Sequence, residues 1–172
     1  MKLILPATWV ENLKRELRLA GSREIGGILV GEYLGNETFR LADISVQTIG
    51  GSQAHFARDL EHSTAFLKEF FARTGHDYNR FNYLGEWHSH PLFAAMPSGQ
   101  DLATMREIVE DPNVGANFAV LLIVRLARRS TLELSATVFS PHSPPINAEV
   151  ELEVAQQALN RSLLQRFIDL FR

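Results

Sequence analysis

His88 and His90 stand two apart in the run Gly85-Glu86-Trp87-His88-Ser89-His90-Pro91, and Pro97-Ser98-Gly99-Gln100-Asp101 follows shortly after. In an extended strand, residues two apart point to the same face, so both imidazoles can reach one ion. Ser98 begins a candidate helix whose first turn contains Asp101, and a carboxylate there can complete the donor set. Two histidines and a carboxylate leave the fourth position of a tetrahedral zinc ion open to water, the pattern of a catalytic site and not of a closed structural one. Zinc can bring the pKa of that water to about 7, which makes hydrolysis the natural reaction class. Such chemistry also needs a carboxylate to move protons and a donor to stabilise the oxyanion.

Each piece alone has an ordinary explanation. Ser98 and Asp101 have the spacing of a capping box at a helix start, and two histidines in a strand are commonly plain polar residues. The conjunction of His-x-His, seven residues and Ser-x-x-Asp arises by chance in about one of a few thousand chains of this length, which favours a site. Capping and catalysis are compatible roles for one serine. His55, His62, His76 and His142 sit in no ligand spacing and are expected on the surface or in loops. Gly26, Gly27 and Gly31 lack the lysine of a phosphate loop and follow no suitable strand, so they are expected to allow close backbone packing near the metal.

The 172 residues contain no cysteine, so disulfides, thiolate nucleophiles and cysteine-ligated zinc are excluded. A zinc deaminase, whose ligands include cysteines, is excluded with them. Hydrophobic residues make up 45% and charged residues 22%, close to a soluble globular average. The net charge of -3 gives no general attraction to nucleic acid. The basic cluster Arg125, Arg128 and Arg129 is expected to be a solvated strand end and turn. The apolar start before Pro6 is too short for a secretory segment, and no stretch has the roughly 18 apolar residues of a membrane helix. A cytoplasmic location is the expectation.

The elements that must position the site can be read from periodicity. Trp9, Val10, Leu13, Leu17 and Ala20 recur at helical spacing between Pro6 and Gly21. Ile25 to Val30 forms a short apolar run, and Phe39, Leu41, Ile44 and Val46 form another beyond Gly35-Asn36, predicting a hairpin. Leu60, Ser63, Thr64, Leu67, Phe70 and Phe71 predict a second helix over 60–72. Phe81 to His90 reads as an aromatic-rich strand, Phe118 to Leu126 as a strand buried on both faces, and Leu132 to Val138 as a last strand with one wet face. Beyond Pro141, Pro144 and Pro145, the spacing of Leu152, Ala155, Leu159, Leu163, Phe167 and Leu170 predicts a helix over about 147–171 docking on the sheet. The order implies one α/β domain over 1–172, with helices covering a mixed sheet.

The histidine segment resembles the JAMM signature of the MPN/JAB zinc metallopeptidases. Glu24-Ile25-Gly26-Gly27-Ile28-Leu29-Val30-Gly31 is similar to the family's E-x-G-G-x-L-x-G stretch, and the order of elements resembles the family as far as Val138. The resemblance implies a single MPN/JAB domain with a mixed, mostly antiparallel sheet layered as in the cytidine deaminases. It makes His88, His90 and Asp101 the ligands of one zinc ion, Glu24 the general base and later acid, and Ser98 the oxyanion stabiliser. Glu86 is the rival base, because it shares a strand face with His88 and His90. Glu24 is preferred because it heads the second motif, and a supporting contact to a ligand histidine suits Glu86 better.

The resemblance further implies cleavage after the C-terminal tail of a ubiquitin-like protein, either from conjugates or from its precursor. The Gly-Glu-Trp-His-Ser-His-Pro form is similar to stand-alone bacterial JAB peptidases encoded beside ubiquitin-like, activating and conjugating enzymes, including anti-phage operons. Processing of a sulfur-carrier protein is an alternative within the same chemistry, and a non-catalytic scaffold is an alternative outside it.

Overall fold

The computed structural model describes residues 1–47, 59–127 and 131–153. In chain order the elements are β1 (Lys2–Leu5), α1 (Ala7–Ala20), β2 (Gly26–Gly35), β3 (Thr38–Ile44), α2 (Leu60–Arg73), β4 (Phe81–Ser89), α3 (Gly99–Glu110), β5 (Ala119–Leu126), β6 (Leu132–Phe139), β7 (Ile146–Asn147) and β8 (Glu149–Leu152). The strands form one sheet in the order β7-β6-β5-β4-β2-β3-β1-β8. Antiparallel pairing predominates, with parallel pairs at β4/β5, β3/β1 and β1/β8. This is the α/β arrangement expected from the sequence, a mixed sheet flanked by helices.

The hairpin β2/β3 turns at Asn36 and Glu37, whose φ angles of 47° and 54° give the left-handed pair that matches the twist of the flanking strands. A parallel neighbour cannot be reached by a tight turn, so β4 and β5 are joined by a crossover. That crossover contains α3, and through it the fold returns a helix to the face of β4 that carries the histidines.

Alternation sorts the core. From α1, Val10, Leu13, Leu17 and Ala20 pack with Leu84, Trp87, Val120, Leu122 and Val124 on one face of the sheet. On the opposite face, Met105 and Val109 of α3 pack on Leu121 and Ile123, and Phe70 of α2 packs on Ile28 and Val30. The expected burial of β5 on both sides follows from this sandwiching. Gly21, with φ 64°, ends α1 by donating its N–H to the Leu17 carbonyl.

Glycines near the site let backbones close in. A Cβ on Gly27 would lie 2.3 Å from the Ser45 carbonyl oxygen. One on Gly85 would meet the Val120 carbonyl at 2.0 Å, and its φ of 146° is one that side chains rarely adopt. Gly85→Ala is therefore expected to lose at least about 2 kcal/mol of stability, from strain and overpacking together. Denaturant unfolding would measure it, and an unchanged midpoint would contradict this packing.

Several expectations need correction. The apolar start is an interior strand, β1, between β3 and β8; it is too short for periodicity to reveal. β2 continues past Gly31 to Gly35: Gly31 does not end the strand but leaves room for the Leu84 side chain, which fills the space a Cβ there would need. Leu60 and Thr64 of α2 are exposed instead of facing the sheet. β6 is not the last strand. The helix expected from about 147 does not begin there: Glu149–Leu152 is β8, parallel to β1. The alternation of Glu149, Val150 and Glu151 turns both acids toward Lys2 while Val150 packs on the core. A period of three or four, carried back from Leu152, overran this period of two. The rest of that helix, from Ala155 onward, lies outside the described residues. Among the described residues no helix is long and apolar enough to cross a membrane.

Candidate active site

His88 lies on β4, and His90 follows at its end. Both are buried. Their Nε2 atoms are 3.1 Å apart. Asp101, in the first turn of α3, brings Oδ1 to 3.2 Å from His88 Nε2 and Oδ2 to 3.5 Å from His90 Nε2. Tetrahedral zinc with bonds of about 2.0–2.1 Å would separate neighbouring ligand atoms by roughly 3.3–3.4 Å. The three contacts lie near that value, with one carboxylate oxygen turned to each imidazole, and the group could hold a metal ion.

The supports of this triad are local. Ser98 caps α3: its Oγ accepts from the Asp101 N–H at 3.2 Å, and its own N–H donates to Asp101 Oδ2 at 2.6 Å. Burial pushes the Asp101 carboxyl pKa up, but hydrogen bonds from His88 and Ser98 outweigh it and hold the group well below the usual carboxylate range. Asp101 is thus offered as a carboxylate at neutral pH. His90 Nδ1 lies 3.2 Å from the Ala94 carbonyl, which can only accept. His90 therefore donates from Nδ1, and the neutral ring presents an unprotonated Nε2, as a ligand requires.

Glu24 lies just before β2. The pairing of Gly26 with His88 sets the register there. Ile25 and Ser89 extend it, with Ile25 N–H donating to Ser89 Oγ at 3.0 Å and Ser89 N–H to the Ile25 carbonyl at 2.8 Å. Glu24 directly precedes this anchored Ile25. Glu24 and Glu86 are both buried, and both line a cavity of about 600 Å³ shared with His88, His90, Ser98 and Asp101. On β4, Glu86 pairs with Ile28 of β2 and Leu121 of β5. All five expected site residues and the rival Glu86 are thereby gathered at one opening.

Sequence reasoning missed several contributors. Ser89 alternates away from the two histidines, yet it holds Ile25, the neighbour of Glu24. Ser45 does the same one layer away, its Oγ accepting from Ile28 N–H and its carbonyl from Trp87 Nε1, both at 2.8 Å. Arg125 is not a solvated strand end: it donates from Nη1 to the Phe93 carbonyl at 2.7 Å and pairs with Glu133. It thus braces the loop between His90 and Ser98. Nothing in a single basic residue at a strand end signals such a partner. Arg128, Arg129 and His55 lie outside the described residues, while His62, His76 and His142 are exposed, as expected.

Comparison with known proteins places these features. The solution structure of protein DSY2949 from Desulfitobacterium hafniense superposes with a TM-score of 0.65 at 19% identity, covering 88% of this chain and 92% of that one. It shares the fold. The protein named CD-NTase/cGAS isopeptidase from Enterobacter hormaechei subsp. hoffmannii (strain UCI 50) is 27% identical over 148 residues, covering 84% of this chain and 78% of its own. Residues 6–136, which hold every residue of the triad and its supports on β2, β4 and α3, match the family described as prokaryotic homologs of the JAB domain. This chain belongs to the prokaryotic JAB-domain family.

Proposed function

We propose that this protein is a zinc-dependent isopeptidase that releases a tail-linked modifier from lysine side chains of target proteins. The observation that carries the reading is the convergence of His88, His90 and Asp101, with donor atoms within 4.8 Å of one another, at a cavity that a buried carboxylate also lines. His88, His90 and Asp101 would hold the ion. When bound, it would supply a Lewis acid that acidifies water and polarises a carbonyl.

The chain's own residues do the rest. Glu24 takes a proton from the attacking water as its oxygen bonds to the amide carbon. Glu24 then gives that proton to the leaving nitrogen as the C–N bond breaks, yielding a carboxylate and a free amine. Ser98 Oγ accepts from Asp101 N–H, so its own O–H is available to donate to the oxyanion. Ser89, holding Ile25, anchors the segment that carries Glu24.

The substrate follows from two likenesses. The family resemblance implies a glycine-ended tail of a ubiquitin-like protein and a bacterial anti-phage setting, and the relative's name points to conjugates that involve a CD-NTase or cGAS. The test is a synthetic isopeptide joining a glycine-ended peptide to the ε-amine of lysine. Cleavage should vanish on chelation and return with about one zinc per chain. Full activity in metal-depleted protein would refute the reading.

A further inference from the structure

Phe93 and Ala94 offer adjacent backbone carbonyls to different donors. Arg125 Nη1 donates to the Phe93 carbonyl at 2.7 Å, and His90 Nδ1 donates to the Ala94 carbonyl at 3.2 Å. Residues 91–97 belong to neither strand nor helix. Two further bonds here are short-range: Phe93 N–H to the His90 carbonyl at 3.4 Å, and Met96 N–H to the Ala94 carbonyl at 2.8 Å. Arg125, from β5, ties this stretch to the sheet.

The guanidinium is itself held. Arg125 stands directly across from Glu133 of β6, and its Nε lies 2.7 Å from Glu133 Oε2. The rigid planar fork of an arginine can face a carboxylate and a carbonyl at once, whereas a lysine ammonium is a single point charge on a flexible stem. Beside it on β5, the Val124 carbonyl accepts from His90 N–H at 3.0 Å. Neighbouring residues of one strand therefore hold both the backbone of His90 and the stretch on which its ring leans. The Glu133 side chain is 48% exposed, and an ion pair so open to water contributes little to stability. Its placement suits orientation instead.

A hydrogen bond from the far nitrogen of a ligand imidazole fixes the ring's tautomer and direction. Resting on the metal reading above, we propose that Arg125, held by Glu133, is a positioning residue for His90. By fixing the Phe93–Ala94 peptide, it keeps the Ala94 carbonyl on Nδ1, and so keeps Nε2 unprotonated and turned toward the ion.

Zinc affinity, read by competition with a chelating dye, tests this. Arg125→Met keeps an apolar stem and removes both contacts, and its zinc Kd should rise about tenfold, the lower end of what supporting partners of metal ligands contribute. Arg125→Lys retains the charge and should recover part of the loss. Glu133→Gln leaves Arg125 in place but loosens it, and should raise Kd about threefold.

A spectroscopic readout separates positioning from bracing alone. In zinc-loaded protein carrying isotope-labelled histidine, the His90 Nδ1–H should give a slowly exchanging NMR signal in the wild type and a rapidly exchanging one in Arg125→Met. A lower Tm of metal-free Arg125→Met protein with an unchanged zinc Kd and an unchanged Nδ1–H signal would mark a structural brace only and overturn the proposal. If Arg125→Met does not fold, Glu133→Gln decides, and an unaltered Kd there is equally fatal. Wild-type protein that takes up no zinc would sink the metal reading itself, whereas zinc uptake indifferent to Arg125 would sink this inference alone.

Discussion

Glu24→Gln protein is expected to lose about 10²- to 10⁴-fold in kcat, the span that a positioned acid-base group supplies, while keeping its fold and its metal. Glutamine fills the same volume and retains an acceptor oxygen, so the buried segment before β2 has little reason to move. It cannot take a proton from water or return one to nitrogen, and that is the step lost. Such a loss corresponds to roughly 3–5 kcal/mol of barrier. Glu86→Gln is the companion variant, because Glu86 is also buried at the same cavity. A fully active Glu24→Gln protein beside an inactive Glu86→Gln protein would reverse the assignment of the base.

The second large effect concerns the metal. Asp101→Asn should keep the helix start, because an asparagine oxygen can still accept from the Ser98 N–H where Asp101 Oδ2 does now. It should nevertheless lose the anionic donor facing His88 and His90. Supporting contacts to metal ligands are worth about 10- to 100-fold in affinity, so loss of a ligand should cost at least about 100-fold. At a zinc concentration 1,000 times the wild-type Kd, bound metal stabilises the native state by about 4 kcal/mol, and a 100-fold weaker site leaves about 1.4 kcal/mol. For a domain of this size, the missing 2.7 kcal/mol or so means a zinc-induced rise in Tm smaller by about 5–10 °C. His88→Ala should show the same deficit together with lower metal content. Undiminished zinc occupancy in either protein would refute that ligand.

Much of the site was legible because its residues lie close in sequence and their elements have strong periods. The strand period of two puts His88 and His90 on one face, and the Ser98/Asp101 spacing marks a capped helix start. α1, the β2/β3 hairpin, α2, β4 and β5 were readable for the same reason, each having an apolar pattern several residues long. β1, β7 and β8 were not, since a strand of two to four residues shows too few repeats to distinguish two from three and a half. β8 was overrun by the helical spacing that follows it, and β1 looked like a bare terminus.

The sequence by itself determined the donor types, the absence of any thiol alternative, and the face that His88 and His90 share. Local backbone geometry is enough for these, because a strand's alternation and a helix's first turn are set by neighbouring residues. Only the tertiary structure decided that Glu24 shares a cavity with His88 and His90, that α3 returns Asp101 to both imidazoles, and that Arg125 braces the loop between His90 and Ser98. These depend on strand register and on a crossover between parallel strands. Both are fixed by packing across the whole sheet and not by any short run of residues.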